Sequence, residues 1–169
     1  MVSLKKSLLF VTSVFLIAMG PVSAHPPANS ASSELAALQS VDQEWLHAYN
    51  AGDVNKVVSL YAKDAVLLPP GASAAHGRSA IHVFFAHDIA GSQKAGVSFH
   101  LGAHPDGGVK GDWGWCSGTY TVTDKSGKIV DAGKYLSVSR KEGGAWHYVR
   151  DTWNSDGTVP ASAADKTTK

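Results

Sequence analysis

The stretch over residues 34–71, which ends in LHAYNAGDVNKVVSLYAKDAVLLPPG, decides the fold of this chain. It predicts a long helix, a short second helix over 53–62, and a strand over 65–68 that two prolines end. Between the helices, Gly52 is able to take the left-handed conformation that closes a helix, and Asp53 is able to cap the next one. Two helices and a strand, with further strands to follow, predict a helix-lined cup.

The first residues are typical of a secretory signal peptide. Lys5 and Lys6 precede an apolar run over 8–19, and small residues surround a cleavage point after Ala24. The apolar run is too short for a spanning helix. We expect residues 1–24 to be removed and the mature chain to be exported, periplasmic or secreted, with no membrane association after cleavage. The alternative is a retained N-terminal membrane anchor.

The charge balance argues against polyanionic partners. Removing Lys5 and Lys6 from the 15 basic side chains leaves one basic group fewer than the 14 acidic ones. Binding to nucleic acid or to an anionic membrane surface depends on clustered positive charge. We therefore expect no nucleic-acid partner.

No pattern in the sequence predicts a metal or a cofactor. The eight histidines have no recognisable ligand spacing: His82 and His87 are five residues apart, which takes them off a shared helix face. Cys116 is the single cysteine, and nothing beside it resembles an activating base, so we interpret it as a small buried residue. The prediction is no metal and no cofactor.

Hydrophobic periodicity predicts an α+β domain. Apolar residues at helical spacing predict a first helix capped by Ser33 and a third helix over 79–90. The pattern then changes to strands rich in Val, Thr, Trp and Tyr, with Gly-containing turns between them. The predicted strands are 97–101, 112–123, 128–140 and 145–154, and the predicted turns are 105–108, 124–127 and 142–144.

These elements predict three N-terminal helices packed on a curved antiparallel sheet, in one cone-shaped domain. The length of the chain suits one domain that buries its own core. The predicted order is a signal peptide over 1–24, a flexible leader over 25–32, the domain over 33–156, and a disordered tail over 157–169.

Three segments together resemble the nuclear transport factor 2-like superfamily, and within it the exported SnoaL-like proteins. They are HAYNAGDVNKVVSLYAKDAVLLPPG, HGRSAIHVFF and DAGKYLSVSRKEGGAWHYVRDTWNSD. The resemblance covers about residues 33–156. It implies a cystatin-like cone, whereas function varies widely on this fold, from isomerases and dehydratases to plain binding proteins.

The sequence departs from the ketosteroid isomerases that it resembles. In that family a general-base carboxylate follows the segment that resembles Lys63-Asp64-Ala65-Val66, and this chain has leucines and prolines there. The family's tyrosine on the first helix falls on Trp45, whose indole donates a hydrogen bond but is not a phenolic acid. Steroid isomerisation by the family mechanism is therefore not expected.

Asp42 is a candidate for proton transfer. It lies one turn before Trp45, on the helix face that carries Leu38 and Tyr49 and is expected to point towards the sheet. A carboxylate there is costly to bury unless it is paired or its pKa is raised. The alternative is that Asp42 lies at the edge of this stripe, hydrogen-bonded or solvated.

Asp151 is the second candidate. Strict alternation predicts that His147, Val149, Asp151 and Trp153 share one face of the last strand. If that face lines the cup, Asp151 and His147 become polar groups on an aromatic wall. The alternative is a cross-strand Arg–Asp pair that holds the sheet.

Two functions follow from these patterns. The first is a homodimer whose protomers each bind a small apolar molecule, with or without acid/base chemistry of the isomerase, lyase or hydrolase type. The second is a non-catalytic protein-interaction or dimerisation module. Under the first, the predicted catalytic residues are Asp42 and Asp151, and the predicted ligand-binding residues are Trp45, Tyr49, Phe85, Tyr120, Tyr135, His147 and Trp153.

Overall fold

The structure, a computed structural model, describes residues 28–157. The predicted signal peptide, the start of the predicted leader and the tail after residue 157 lie outside this range. The helices are α1 (Ala28–Ala51), α2 (Val54–Ser59) and α3 (Gly77–Ala95). The strands are β1 (Tyr61–Leu68), β2 (Ala75–His76), β3 (Ser98–Leu101), β4 (Asp106–Lys110), β5 (Trp113–Thr123), β6 (Ile129–Glu142) and β7 (Ala145–Ser155). The predicted α+β class is confirmed.

The predicted joint between the first two helices is confirmed in detail. Gly52 has a φ of 79°, and the backbone N–H of Asp53 donates to Ala48 O at 2.9 Å. The Asp53 carboxylate accepts from the backbone N–H of Lys56 at 2.9 Å. Left-handed glycine and an N-cap aspartate thus turn the chain from α1 into α2.

The helix bounds differ from the predicted ones. α1 begins at Ala28, so Ser33 lies within it and does not cap it. No proline or glycine interrupts the sequence from Ala28 to Ala51, so nothing stops the helix from extending towards its N-terminus. α3 continues to Ala95, where left-handed Gly96 closes it. Within 28–157, no helix combines the length and hydropathy needed to cross a bilayer.

One sheet contains all seven strands. Its order is β2-β1-β7-β6-β5-β3, with β4 also paired to β5. The consecutive strands β5, β6 and β7 pair antiparallel, as predicted for the sheet. β1 runs parallel to β7, and its pairing from Tyr61 onward makes it longer than the predicted strand over 65–68. That pairing also explains why α2 ends at Ser59.

The predicted turn over 105–108 is wrong, because residues Asp106–Lys110 form β4. The glycines there permit close packing rather than a reversal of the chain. A Cβ on Gly107 would lie 2.8 Å from Trp115 O and 3.0 Å from a methyl carbon of Leu35. Gly107 therefore lets β4 lie close to β5 and α1.

A β-bulge changes which side chains of the last strand point to each face of the sheet. The register between β6 and β7 shifts after Val138, which pairs with Arg150 whereas Ser139 pairs with Tyr148, leaving Val149 as an extra residue. Bulges bend a strand and increase its twist. The helices cover the concave face of the sheet, where the most buried core side chains include Leu38, Tyr61, Ile81 and Phe85.

Candidate functional site

A cavity of about 90 Å³ lies between α1, α3 and the concave face of the sheet. The cup is therefore not filled by side chains. Eight aromatic residues line it: Trp45, Tyr49, Phe85, Phe99, Tyr120, Tyr135, Tyr148 and Trp153. The remaining lining residues are Leu101, Asp42, Asp88, Ser137 and Asp151.

Most of the residues predicted from the sequence meet at this cavity. α1 contributes Asp42, Trp45 and Tyr49, α3 contributes Phe85, and the sheet contributes the remainder. Trp45 and Tyr49 stack with ring centroids 4.9 Å apart. The predicted residues that line the cavity are Asp42, Asp151, Trp45, Tyr49, Phe85, Tyr120, Tyr135 and Trp153.

His147 is the exception, and the bulge explains it. The predicted alternation puts His147 and Asp151 on one face of the strand. It puts Tyr148 on the other face. Because Val149 is an extra residue, the alternation changes phase there, and Tyr148 joins Asp151 in the lining. The prediction of one continuous face was therefore wrong, and His147 lies outside the lining.

The Asp42 carboxylate is held by two tyrosines. Tyr148 donates to Oδ1 at 2.6 Å, and Tyr135 donates to Oδ2 at 3.0 Å. The residue is only 6% exposed. Burial raises the pKa of Asp42 above its ordinary value, and the hydrogen bonds from Tyr148, Tyr135 and Cys116 partly offset this rise.

The Asp151 carboxylate accepts a hydrogen bond from a third tyrosine. Tyr61 donates to its Oδ2 at 2.5 Å, so the predicted alternative of an Arg–Asp pair is not the arrangement found. Burial raises the pKa of Asp151 to about 7, with a further upward contribution from the charge of Asp42, while the Tyr61 hydrogen bond opposes the rise. Asp151 therefore titrates near neutral pH.

The phenols are held in the neutral form. Burial is the largest cause of a raised pKa at Tyr61, Tyr135 and Tyr148, and the nearby Asp42 charge raises all three further. These hydroxyls act as donors to carboxylates rather than as acids near neutral pH.

A third carboxylate lies in the lining on α3. Tyr49 donates to Asp88 Oδ2 at 2.5 Å, and the same hydroxyl lies 2.8 Å from Ser92 Oγ. Burial and then the hydrogen bond to Asp88 raise the pKa of Tyr49. Each aspartate in the lining thus accepts from at least one tyrosine.

Several lining residues were not predicted from the sequence: Asp88, Phe99, Leu101, Ser137 and Tyr148. The spacing could have identified Asp88, which follows Phe85 by three residues on the same face of a helix. Tyr61, which donates to Asp151, falls within the predicted helix over 53–62 but lies on β1. Its role depends on the parallel pairing of β1 with β7, which no local pattern signals.

Cys116 has the predicted structural role. It is 1% exposed, and burial, followed by the charge of Asp42, raises the pKa of its thiol to about 12. The thiol is therefore neutral and unsuited to nucleophilic attack. Across 28–157, no three or more His, Cys, Asp or Glu side chains are grouped so as to hold a metal ion.

The arrangement can transfer protons. Two of the three carboxyl groups in the aromatic cavity, Asp42 and Asp151, have raised pKa values, and that of Asp151 is about 7. A general acid or base works best when its pKa is close to the working pH. Tyrosine donors fix the orientation of both carboxyl groups.

Solved structures place this architecture among known folds. A nuclear transport factor 2-like protein with a cystatin-like fold from Novosphingobium aromaticivorans is 19% identical, with a TM-score of 0.65 over 73% of this chain and 83% of that one. A Mycobacterium tuberculosis protein of unknown function is 20% identical, with a TM-score of 0.69 over 89% and 86%. A ketosteroid isomerase-like protein from Erwinia carotovora is 23% identical, with a TM-score of 0.57 over 73% and 97%.

The sequence comparisons agree with the fold. No curated protein matches the chain significantly. The family model of the SnoaL-like domain matches residues 43–151, which include α2, α3 and nearly all of the sheet. The chain therefore belongs to the SnoaL-like domain family, and its fold is similar to that of the nuclear transport factor 2-like protein with a cystatin-like fold.

Proposed function

We propose that this protein binds a small, largely apolar molecule in the cavity and transfers a proton on it, as an isomerase, lyase or hydrolase does. The observation that carries the proposal is the Asp151 carboxyl group, set in an aromatic cavity and titrating near neutral pH. Asp151 is the proton carrier. Asp42, whose carboxylate accepts hydrogen bonds from two tyrosines, orients the site.

The position of Asp151 accounts for the missing base at the end of β1. In the ketosteroid isomerases that the sequence resembles, the base follows the segment equivalent to 63–66, where this chain has Leu67. Leu67 is the Cα partner of Asp151 on the parallel strand β7. A carboxylate from the adjacent strand therefore lies beside the position that the relatives use.

Deuterium exchange into 2-tetralone, an enolisable ketone with an aromatic body, tests the proposal. Trp45 and Trp153 line the cavity, so binding is measured as a change in tryptophan fluorescence. Exchange of the α-protons in D₂O is measured by NMR. We expect Asp151→Asn to slow enzymatic exchange by about a hundredfold, the lower range for loss of a general base.

Asp64→Asn is the matched control, because Asp64 is exposed and bonded to Arg140 outside the lining. It should leave exchange unchanged. Binding without exchange would rule out this proton transfer and favour a carrier. If the ketone neither bound nor exchanged, the proposed function would be wrong.

A specific observation also favours the second predicted function, a protein-interaction or dimerisation module. The outer face of β5 and β6 carries an apolar surface made of Trp113, Trp115, Leu136 and Val138, which we call the outer surface. Trp113 is 50% exposed, Trp115 39% and Leu136 46%. Exposed apolar residues that adjoin one another mark interaction sites. We propose that two copies of the chain form a dimer through the outer surface. Sedimentation equilibrium measures the mass of the protein in solution and so tests this proposal.

A further inference from the structure

The lining of the cavity contains acidic side chains but no basic ones among the described residues. Asp42, Asp88 and Asp151 line it, and no Lys, Arg or His of the described residues is in the lining. The tyrosine hydroxyls hydrogen-bond these carboxylates but carry no positive charge. A buried carboxylate is stable in its ionised form only when a positive charge or several donors compensate it.

The four tyrosine hydroxyls of the lining already donate hydrogen bonds to carboxylates within the protein. Tyr135 and Tyr148 donate to Asp42, Tyr49 donates to Asp88, and Tyr120 donates to Asp131 at 3.4 Å. The lining tyrosines therefore offer a ligand mainly oxygen lone pairs and ring faces. An anionic ligand would meet repulsion from the carboxylates, and these hydroxyls have no free proton to donate to it.

Ser137 is a second, independent sign of a ligand. Its side chain is only 2% exposed, it lines the cavity, and its Oγ has no hydrogen-bond partner among the described residues. Ser137 pairs with Asp151 across β6 and β7. A buried hydroxyl without a partner is costly, so a polar ligand atom beside Asp151 would satisfy it.

The aromatic rings of the lining also attract cations, as the carboxylates do. The face of an aromatic ring carries partial negative charge and attracts a cation within about 6 Å of its centroid. Eight of the lining residues are aromatic. Rings together with carboxylates form the kind of enclosure that selects alkylated ammonium groups.

We infer that the cavity binds a small organic cation, an amine or quaternary ammonium with an apolar body, whose charge is balanced by Asp42 and Asp151 and whose polar group reaches Ser137. The inference rests on the proposed function, because it takes the cavity to be the ligand site. It adds the charge of the ligand, which the proposed function leaves open.

The inference couples binding to pH. The titratable groups around Asp151 are Asp42 on α1, Tyr61 on β1, Cys116 on β5, Tyr135 on β6 and Tyr148 on β7, and Asp88 of α3 lines the same cavity. The phenols and the thiol have raised pKa values, so they stay neutral between pH 6 and 8. Over that range Asp151 passes from mostly protonated to mostly ionised.

Choline and its neutral isostere 3,3-dimethylbutan-1-ol provide the test, by calorimetry on the full mature chain. Choline does not titrate in this range, so its affinity should follow the ionised fraction of Asp151. That affinity should rise roughly tenfold from pH 6 to pH 8. At pH 7, calorimetry in two buffers of different ionisation enthalpy should show protons released on binding. Choline should bind at least tenfold more tightly than the alcohol at pH 8.

Asp151→Asn should abolish the rise in affinity with pH, whereas Asp64→Asn, outside the lining, should retain it. Proton release by the unmodified protein provides the second measurement, which needs no variant to fold. Equal affinity for the two compounds, or tighter binding of the alcohol, would overturn the inference and leave the proposed apolar pocket intact. If neither compound bound, the inference and the proposed pocket would both fail.

Discussion

Folding strongly changes the acidity of Asp151. Its pKa rises from an ordinary value of 3.8 to about 7, mainly because of burial. The unfolded chain therefore loses this proton near pH 4, whereas the folded chain keeps it until about pH 7. Between these values the folded state binds more protons than the unfolded state, so rising pH lowers the free energy of unfolding.

Replacing Asp151 with asparagine should remove that pH-dependent cost. Asparagine keeps the size of the side chain and an oxygen that accepts from Tyr61, but it does not ionise. We expect Asp151→Asn to be more stable than the unmodified protein at pH 8 by about 4 kcal/mol. The difference should vanish towards pH 4. Urea unfolding at several pH values measures it.

Asp64→Asn is the contrasting variant. The Arg140 hydrogen bond lowers the pKa of Asp64, so its stabilisation is present above the unfolded pKa and is lost as pH falls. Asp64→Asn should therefore gain no stability at pH 8. If Asp151→Asn showed the same pH dependence as the unmodified chain, the raised pKa of Asp151 would be wrong.

At Gly133, strand β6 lies very close to its two neighbouring strands, β5 and β7. A Cβ built on this residue would lie 2.2 Å from the backbone oxygen of Asn154 on β7 and 2.6 Å from the Tyr120 hydroxyl on β5. Real contacts of a Cβ are never this short. The glycine therefore permits β5, β6 and β7 to pair at this point beside the cavity.

Gly133→Ala should cost about 2 kcal/mol of stability, because the added methyl group forces the backbone of β6 or β7 to move. Gly91→Ala in α3 is the matched control, since nothing lies within 4 Å of its Cβ and alanine favours the helix. It should stabilise by about 0.5 kcal/mol. Thermal unfolding compares the two, and a neutral Gly133→Ala would contradict the packing at this strand.

At the scale of the whole molecule, the proposed dimer depends on the outer surface. Trp115 is the cross-strand neighbour of Val138, and Leu136 lies two residues from Val138 on the same face of β6, so these residues form one apolar area on the face opposite the cavity. Arg140 covers part of Trp113, with its guanidinium carbon 5.5 Å from the ring centroid. We expect Leu136→Glu to convert a dimer into a monomer, because it buries an unpaired charge in the interface.

Val83→Glu is the control for that change. Val83 is 71% exposed, but it lies on α3, away from the outer surface, so the dimer should persist. Sedimentation equilibrium measures the mass in each case. An unmodified chain that stayed monomeric at tens of micromolar, or a Val83→Glu variant that dissociated as Leu136→Glu does, would contradict dimerisation through this surface.

The sequence by itself determined the local geometry of this protein. Gly52 and Asp53 act through their own backbone conformation and their near neighbours, so the joint between α1 and α2 could be predicted correctly. The same holds for the β5-β6 and β6-β7 hairpins, and for Asp42, whose helical spacing placed it on the inward face. These features depend on contacts within a few residues, and a local pattern encodes such contacts.

Tertiary structure decided the rest of the site. The bulge at Val149 places Tyr148 in the cavity lining and leaves His147 outside it. The parallel pairing of β1 with β7 brings Tyr61 to Asp151. The segment predicted as a turn over 105–108 contributes to strand β4. Register between distant strands is set by which faces bury and which polar atoms find partners, and one inserted residue reverses the alternation. The joint therefore predicted a cup, whereas the pairing of residues far apart in sequence determined which side chains line it.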